Sequence, residues 1–382
     1  MKTIADPVKY LSATRKKFLR YFNCRQNMDA PLGMQIVPNA TVSLHQPNVK
    51  LLRQKIKNVK IRRGRAKGAE YIDEDVILLG YAEPFIGHFL ADSLSRAWPV
   101  LEKKYANHTF AIVSEGPLPS RGPNNKSATT ASAAELLHLL GFKKLLVIQK
   151  PTAFRNLLVP DSSFDYTKMI FNRKFSDIFA RVAGAVKAEP KAPKKIYLSR
   201  TKVSHNPVLG EKQIEKIFEN NGYSIIHLQE FPIERQIALM KNAEAIAGVE
   251  GTALHFSLFM RNKTSLICIH RYNVIIAMQI LIDKLKNINA SYIDASIDPY
   301  SKAKNTCPAC IIGTNDNLRR FFDDNRFKYK VDAGADNREM NEFLKIYNAR
   351  RRIMPKWLGN LILTFIPSRK TRHNLRKKWG FK

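Results

Sequence analysis

The stretch that indicates the fold of this chain is Ala245-Ile-Ala-Gly-Val-Glu-Gly-Thr-Ala-Leu-His255. Residues 245–249 form an apolar run typical of a buried strand, and Thr252 begins a pattern typical of a helix. Gly251 between them lets a ligand approach the backbone, although it also suits an ordinary tight turn. Because the free amides at the start of a helix attract anions, the stretch predicts a strand that leads into an anion-binding turn.

Short apolar runs alternate with helical patterns on both sides of this stretch. The predicted strands of this second block are residues 196–199, 224–228, 245–249 and 266–269. The predicted helices between them cover residues 211–220, a segment opened by Pro232 and a segment that begins at Thr252. Four strands joined by three helices form half of a doubly wound parallel sheet, and such sheets bind ligands at the carboxyl ends of their strands.

An earlier block of the chain shows the same alternation. Its predicted strands are residues 76–80, 110–113 and 145–148. Helical patterns cover residues 87–105 and 131–140, and Gly141 stands where the second helix should stop. Strands that alternate with helices in this way are typical of a parallel sheet. We therefore expect an α/β fold with two such blocks.

A segment rich in Lys, Ala and Pro separates the two blocks, Ala188-Glu-Pro-Lys-Ala-Pro-Lys-Lys195. Domain boundaries usually fall in segments of this composition. With 382 residues, of which 45% are hydrophobic, the chain is long enough for two domains that each bury a core. We expect a first domain over residues 1–188, a second over residues 189–340 and a basic extension over residues 341–382.

The chain carries a large excess of positive charge, because 64 Lys and Arg residues stand against 32 Asp and Glu residues and leave a net charge of +32. This excess predicts an anionic partner, which could be nucleic acid, anionic lipid or a phosphorylated substrate. No segment has the roughly 18 to 20 consecutive apolar residues that cross a bilayer, and no signal peptide is expected. Four cysteines are too few for a disulfide framework, so we expect a cytoplasmic protein.

The last forty residues have a distinct composition, with no acidic residue after Glu342. Apolar and cationic side chains occur together there, a combination typical of a peripheral membrane anchor. The residues that we expect to contact an anionic membrane surface are Trp357, Leu361, Phe365, Arg369, Lys370 and Arg372. The alternative is a solvated charged end with no target.

Three features of the second block meet at consecutive strand ends in the predicted topology. Arg200 closes the first strand, in Tyr197-Leu-Ser-Arg200, where its guanidinium could grip a pyrophosphate with paired hydrogen bonds. The stretch from Glu250 to His255 follows the third strand, and Cys268-Ile-His-Arg271 ends the fourth. A surface ion pair is the alternative for Arg200 alone, but the joint placement favours a ligand cleft.

In the first block, His88 and Asp92 lie four residues apart, which places them on one face of a helix. An imidazole beside a carboxylate can act as a general base. The alternative is that both residues make a helix cap and a polar contact. The spacing thus predicts a catalytic pair without deciding which of the two residues is the base.

These residues resemble a known family. The likeness is carried by Gly87-His-Phe-Leu90 with Asp92 downstream, by Tyr197-Leu-Ser-Arg200, and by Gln236-Ile-Ala-Leu-Met-Lys-Asn-Ala243 leading into Ala247-Gly-Val-Glu-Gly-Thr-Ala-Leu-His255. Residues 81–98 and 195–270 resemble the family 61 glycosyltransferases, which are also described as bacterial capsular polysaccharide biosynthesis proteins. Many relatives have His-Gly-Ala where this chain has Glu250-Gly-Thr252.

The resemblance implies an inverting, metal-independent transferase with two facing Rossmann-like domains, the GT-B arrangement. It implies a nucleotide-sugar donor held mainly by the C-terminal domain, with Arg200 on the donor phosphates and with Glu250, Gly251, Thr252 and His255 lining the donor pocket. The acceptor would be a surface glycan, such as a capsule, exopolysaccharide or lipopolysaccharide chain, often linked to lipid. The protein would then work at the cytoplasmic face of the cell membrane.

Neither a cofactor nor a metal is expected. The chain has no DxD motif in a suitable loop, since Asp323 and Asp324 are adjacent, and the pair Cys307 and Cys310 has no second pair nearby. Two other functions stay open, a nucleic-acid-binding protein and a non-catalytic scaffold of a polysaccharide assembly complex. The cations are spread along the whole chain without a known nucleic-acid motif, so no nucleic-acid partner is expected.

Overall fold

The computed structural model describes residues 6–23, 30–44, 56, 58–116, 118, 128–203, 206–272, 275–300, 309–351, 363–364 and 366–378. Strands and helices alternate along much of this length, which confirms the predicted α/β class. Two large sheets organise the described chain.

The first sheet is built from β1 (Met34–Leu44), β2 (Val59–Arg63), β3 (Glu70–Tyr81), β4 (Thr109–Val113), β5 (Lys144–Ile148) and β6 (Thr152–Pro160). Its spatial order is β2-β1-β6-β3-β4-β5. Strands β6, β3, β4 and β5 run parallel, whereas β1 is antiparallel to both β2 and β6. All five residues of β4 are buried, as expected for a strand covered on both faces, and the cations of β2 keep an edge strand exposed to water.

The helices and short strands that accompany this sheet in sequence are α1 (Arg15–Phe22), α2 (Ile86–His88), α3 (Ala128–Leu140), α4 (Arg173–Ala185), β7 (Phe164–Asp165) and β8 (Ile170–Phe171). Helix α3 ends at Gly141, which has a φ of +76° and confirms the predicted stop.

The helix predicted over residues 87–105 is wrong as a continuous α-helix. Helix α2 passes instead into a π-helical turn at Phe89–Ser93 and then into 3₁₀ turns at Leu94–Arg96, Trp98–Leu101 and Lys103–Tyr105. The Ser95 hydroxyl donates to the carbonyl of Asp92, which gives that carbonyl a partner outside a regular helix. Pro99, which has no backbone N–H, then prevents a regular ladder from forming.

The second sheet contains five parallel strands. The strands after residue 190 are β9 (Lys195–Leu198), β10 (Val208–Leu209), β11 (Ser224–Ile226), β12 (Ala245–Val249), β13 (Ser265–His270), β14 (Asn289–Asp294) and β15 (Cys310–Ile311). The sheet has the order β11-β9-β12-β13-β14, while β10 and β15 form a separate parallel pair. In chain order this is the doubly wound arrangement 2-1-3-4-5, with one strand more than the sequence predicted.

The helices of this part are α5 (Glu211–Asn220), α6 (Ile233–Asn242), α7 (Thr252–His255), α8 (Ala277–Leu285), α9 (Asp316–Asp324), α10 (Ala333–Arg351) and α11 (Arg369–Lys378). Strand β12 and helix α5 have the bounds that the sequence predicted. Among the described residues, no helix combines the length and the apolar character that crossing a bilayer requires.

The two sheets are joined by apolar packing between their helices. Helix α4 contacts α6 and the 3₁₀ turn Phe256–Phe259, and the rings of Phe179 and Phe259 meet edge to face with centroids 5.3 Å apart. Burying one phenylalanine side chain stabilises a fold by roughly 1.5–3 kcal/mol. The helices between the sheets therefore form part of one continuous core.

The predicted domain limits stay predictions. Two helices, α1 and α10, pack against strands that are distant from them in sequence. Helix α1 lies against the second sheet, where Phe18 contacts the ring of Tyr292 at 4.7 Å between centroids. Helix α10 crosses residue 341, and its Phe343 is fully buried beside β15.

Candidate functional site

The crevice of the second sheet lies between β9 and β12, where the strand order reverses. Arg200 follows β9, and Gly251 follows β12. A Cβ atom at residue 251 would lie 2.9 Å from Nη1 of Arg200. The two strand-end loops predicted to form a site are therefore in contact, and the missing side chain of Gly251 makes room for the guanidinium.

The Arg200 guanidinium is largely withdrawn from water. Its Nε is buried and has no hydrogen-bond partner among the described residues. Burial lowers the pKa of Arg200, and repulsion from Arg271 lowers it further. A buried cationic donor without a partner is costly, so the arrangement fits an anion that would satisfy it.

Arg271 supplies a second guanidinium at the carboxyl end of β13. Its Nε and Nη1 are buried and, within the described part of the chain, have no hydrogen-bond partner. The guanidinium carbon lies 4.9 Å from the centre of the Tyr272 ring. The sequence placed Arg271 at a strand end but gave it no role, because its closeness to Arg200 depends on the order of the strands.

Helix α5 fixes the backbone of Arg200 through a hydrogen bond. Its N–H donates to Oε1 of Glu211 at 3.0 Å, and the hydroxyl of Tyr197 lies 3.3 Å from the same oxygen. Glu211 is fully buried, and burial raises its pKa to about 7. A buried carboxyl group thus fixes the strand end from which the guanidinium extends.

Glu250 follows β12 and is buried. Only 2% of this residue is exposed, and its Oε1 accepts a hydrogen bond from the backbone N–H of Ile276 at 2.9 Å. The same oxygen lies 3.9 Å from Nε2 of His270, whose Nδ1 is 3.2 Å from Asp294. The Glu250 carboxyl group therefore lies in a buried network beneath the turn, where burial raises its pKa and the charges of His270 and Arg271 oppose that rise.

That network extends to the start of the chain. Asp294 accepts hydrogen bonds from the backbone N–H groups of Ser12 at 2.7 Å and of Thr14 at 3.0 Å, and from the Thr14 hydroxyl at 2.5 Å. Burial raises the pKa of Asp294, but the hydrogen bonds from His270 and Thr14 hold it below its ordinary value. The segment before α1 is thereby tied to the end of β14.

His255 lies at the end of α7 and is held in one tautomer. Its Nδ1 is 2.7 Å from Oε1 of Gln279, whose amide nitrogen donates to Asp283 at 2.8 Å and to Ser257 at 3.2 Å. Because the amide nitrogen is committed to these acceptors, Oε1 accepts and Nδ1 of His255 carries the proton. Burial, with a contribution from His88, lowers the pKa of His255 to about 4, so its ring is neutral.

The first block reaches this site through Gly87. A Cβ atom at residue 87 would lie 2.9 Å from Oγ1 of Thr252 and 3.2 Å from Cδ2 of His255. Helix α2 and helix α7 therefore touch with almost no space between them. The contact brings His88, the next residue, to the edge of the crevice of the second sheet.

His88 and Asp92 form the contact that their spacing predicts. Nδ1 of His88 lies 2.9 Å from Oδ2 of Asp92, and the side chains keep 44% and 35% of their surface exposed. The hydroxyl of Tyr166 lies 3.5 Å from each of these two atoms. Burial and the neighbouring Asp92 raise the pKa of Tyr166 to about 12, so this phenol stays protonated near neutral pH. An exposed imidazole on a carboxylate can take up a proton from a ligand.

The basic end of the chain is described only in part. Trp357, Leu361 and Phe365, three of the six expected membrane contacts, lie outside the described residues. Arg369, Lys370 and Arg372 belong to helix α11, in which Arg369 is exposed and Arg372 is half-buried.

Most residues of the site lie within a segment that is similar to a known enzyme family. Residues 86–267 match the family model of Glycosyltransferase 61. The match covers just under half of the chain and includes His88, Arg200, Gly251 and His255, but it ends before Arg271. It supports the predicted glycosyltransferase and, with it, a nucleotide-sugar donor and a glycan acceptor. No curated protein matches the chain.

Proposed function

We propose that the protein is an inverting, metal-independent glycosyltransferase that moves a sugar from a nucleotide-sugar donor to a surface-glycan acceptor. The observation that carries this proposal is the pair Arg200 and Arg271, at and beside the switch point of a parallel sheet, whose buried guanidinium N–H groups include some with no partner among the described residues. Two cations held side by side in this way fit the diphosphate of a nucleotide sugar.

In this proposal the donor diphosphate lies between Arg200, Arg271 and the backbone amides at the start of α7. Helix α7 has only four residues, so its amide groups contribute more than its dipole does. As the bond between the sugar and the phosphate breaks, negative charge grows on the leaving diphosphate. The two guanidinium groups neutralise that charge, which is the task that a metal performs in other transferases.

The proposed base is the pair His88 and Asp92. With Nδ1 donating to Asp92, Nε2 of His88 takes the proton of the acceptor hydroxyl. The acceptor oxygen then bonds to the anomeric carbon from the face opposite the departing diphosphate, which inverts the configuration. The alternative within the pair is that Asp92 accepts the proton itself.

The GT-B arrangement is part of the same proposal. Its two halves would be the first sheet, which carries the base, and the second sheet, which carries the donor. The contact of Gly87 with Thr252 and His255 supports this, because it sets the base at the border between the two halves.

A second element of the proposal is the place of action, the cytoplasmic face of a bacterial membrane during capsular-type polysaccharide synthesis. The net charge of +32 and the cationic helix α11 support contact with anionic lipid. Deleting residues 350–382 should release the protein from anionic liposomes in a sedimentation assay. Equal sedimentation of the full and shortened chains would argue against this anchor.

The donor site is tested by binding of nucleoside diphosphates and nucleotide sugars, measured by calorimetry and thermal shift. Arg200→Ala and Arg271→Ala should each weaken binding by about ten- to a hundredfold, since a hydrogen bond to a charged group is worth roughly 1.5–3 kcal/mol. Arg261→Ala is the matched control, because this arginine is exposed on the same part of the chain. Unchanged affinity in both site variants would overturn the proposal.

A second set of variants separates catalysis from binding. His88→Ala and Asp92→Asn should keep the affinity for the nucleotide sugar and lose transfer. Full transfer by the double variant would remove the pair from the mechanism. Steeply salt-dependent binding of nucleic acid, with no turnover of any nucleotide sugar, would favour the nucleic-acid-binding alternative instead.

A further inference from the structure

We propose that a cavity beside the His88–Asp92 pair is the acceptor subsite and that it takes an uncharged, hydroxyl-rich pyranose unit at the end of the acceptor glycan. This inference rests on the proposed function, because it names the substrate class that the same site would bind opposite the donor. The cavity has a volume of about 280 Å³, close to the lower end of the range of roughly 300–1,000 Å³ for small-molecule pockets. Such a volume suits a single sugar unit better than a long chain segment.

The cavity adjoins the proposed base directly. Asp92 belongs both to the cavity wall and to the hydrogen-bonded pair with His88. Tyr166 also lines the cavity, and its hydroxyl lies 3.5 Å from atoms of both residues. A sugar in the cavity would therefore lie beside Asp92, the carboxylate that is hydrogen-bonded to His88.

The wall of the cavity has the chemistry of a carbohydrate site. Tyr81 and Tyr166 give it two aromatic rings, against which the C–H face of a pyranose can pack. Carboxylates accept hydrogen bonds from sugar hydroxyls, and Glu83, Asp92 and Asp165 all line the wall. The cavity also opens at the carboxyl end of β3, since Gly80 and Tyr81 form part of it.

The charge of the wall decides between a neutral and an acidic sugar. Three carboxyl groups, those of Glu83, Asp92 and Asp165, stand against two cationic side chains, Arg96 and Lys168. Lys168 is paired with Asp165 at 3.1 Å. Burial lowers the pKa of Arg96 to about 10, so its side chain is still cationic near neutral pH. Its charge is attracted by Asp165 and Asp92, two carboxylates of the cavity wall.

The contrast with the donor crevice supports the same conclusion. In a chain with a net charge of +32, the donor crevice holds two guanidinium groups that repel each other, whereas this cavity has more carboxyl groups than cations. An anionic ligand is therefore favoured in the crevice and disfavoured in the cavity. A uronic acid or a phosphorylated sugar would meet like charge there, and a neutral hexose or N-acetylhexosamine would not.

The test uses the full chain and saturation-transfer NMR with defined probes: methyl glucopyranoside, methyl galactopyranoside, methyl N-acetylglucosaminide and methyl glucuronide. At least one neutral probe should receive saturation, and the glucuronide should receive less than that probe. Thr167 is exposed at the rim of the cavity, and a tryptophan there would fill the rim. Thr167→Trp should therefore lower the affinity for the neutral probe by about tenfold and weaken its saturation signal. Ile170→Trp is the matched control, because Ile170 is exposed in the same hairpin and does not line the cavity.

Binding of a nucleoside diphosphate is measured on the same samples. If Thr167→Trp removes the sugar signal but leaves nucleotide affinity unchanged, the cavity is confirmed as an acceptor subsite. Sugar binding without any nucleotide binding would defeat the proposed donor site and leave the cavity assignment standing. Saturation of the glucuronide above every neutral probe, no saturation of any probe, or equal signals in wild type and Thr167→Trp would overturn the inference.

Discussion

At the residue scale, the donor crevice depends on one missing side chain. Gly251 has an extended backbone that other residues can adopt, so its conformation does not require glycine. What requires glycine is the Arg200 guanidinium, whose Nη1 would stand 2.9 Å from a Cβ atom at this position. Because a guanidinium is the movable end of a flexible side chain, an added methyl group would displace it without disturbing the backbone.

Gly251→Ala should therefore impair binding and leave folding almost unchanged. We expect the affinity for nucleoside diphosphates to fall by about tenfold, a loss of roughly 1.4 kcal/mol, measured by calorimetry. The free energy of unfolding should change by less than about 0.5 kcal/mol. Gly184→Ala is the control, since no atom lies within 4 Å of its added Cβ. Wild-type affinity in Gly251→Ala would show that the Arg200 guanidinium occupies another position when the nucleoside diphosphate is bound.

At the element scale, helix α5 sets the end of strand β9. Glu211 in its first turn accepts the backbone N–H of Arg200, and no part of this side chain reaches water. Burial raises the pKa of Glu211 from 4.5 to about 7. The folded protein therefore holds this proton at pH values where the unfolded chain has released it.

The linked stability is present below pH 4.5 and is lost as the pH rises to about 7. Each unit of difference in pKa between the folded and unfolded chain corresponds to about 1.4 kcal/mol, so the loss is on the order of 3 kcal/mol. Glu211→Gln keeps an acceptor for the Arg200 N–H but cannot ionise, so its free energy of unfolding should fall less between pH 5 and about 7. Urea unfolding at several pH values measures this.

Other buried groups also affect how the free energy of unfolding of the wild type depends on pH. The contribution of Glu211 is therefore measured by the difference between wild type and Glu211→Gln. Burial raises the pKa of Asp283 to about 7, which acts in the same direction, while the lowered pKa of His255 acts in the opposite one. Glu219→Gln is the matched control, because Glu219 is exposed on the same helix. Parallel pH curves for wild type and Glu211→Gln would contradict the assignment.

At the scale of the whole molecule, the contact between α2 and α7 sets the distance from base to donor. Gly87 is the point of closest approach, since its Cβ would meet Thr252 and His255 within 3.2 Å. His88 follows Gly87 directly, while Arg200 lies beside Gly251, the residue before α7. Catalysis requires reacting atoms to be placed within fractions of an ångström, so a small separation should affect turnover more than binding.

Gly87→Ala should thus lower kcat by about tenfold or more while the affinity for the nucleotide donor stays within about twofold of wild type. Single-turnover kinetics and calorimetry on the same preparation separate the two quantities. Gly184→Ala serves again as the control for a harmless methyl group. Loss of donor affinity equal to the loss of turnover would show that the contact shapes the donor crevice itself.

The sequence by itself determined the order of the elements and the residues at their ends. Strand β12 and helix α5 were predicted with the bounds that the structure has, and Arg200 and Gly251 were placed at neighbouring strand ends. Periodicity and glycine positions are local properties, which explains why they can be read directly from the chain. Where a serine and a proline compete with the helical backbone, as over residues 87–105, the periodicity alone gave the wrong helix.

Only the tertiary structure decided which way the side chains at those ends point. Glu250 follows β12 and lies in a buried network with Ile276 and His270. Arg271 follows β13, and its charge acts on both Glu250 and Arg200. Each direction depends on partners far away in sequence and on a strand order that no local pattern encodes. The cost of burying a charge without a suitable partner is set by that whole arrangement, so the chemistry of the site emerges only when the chain is folded.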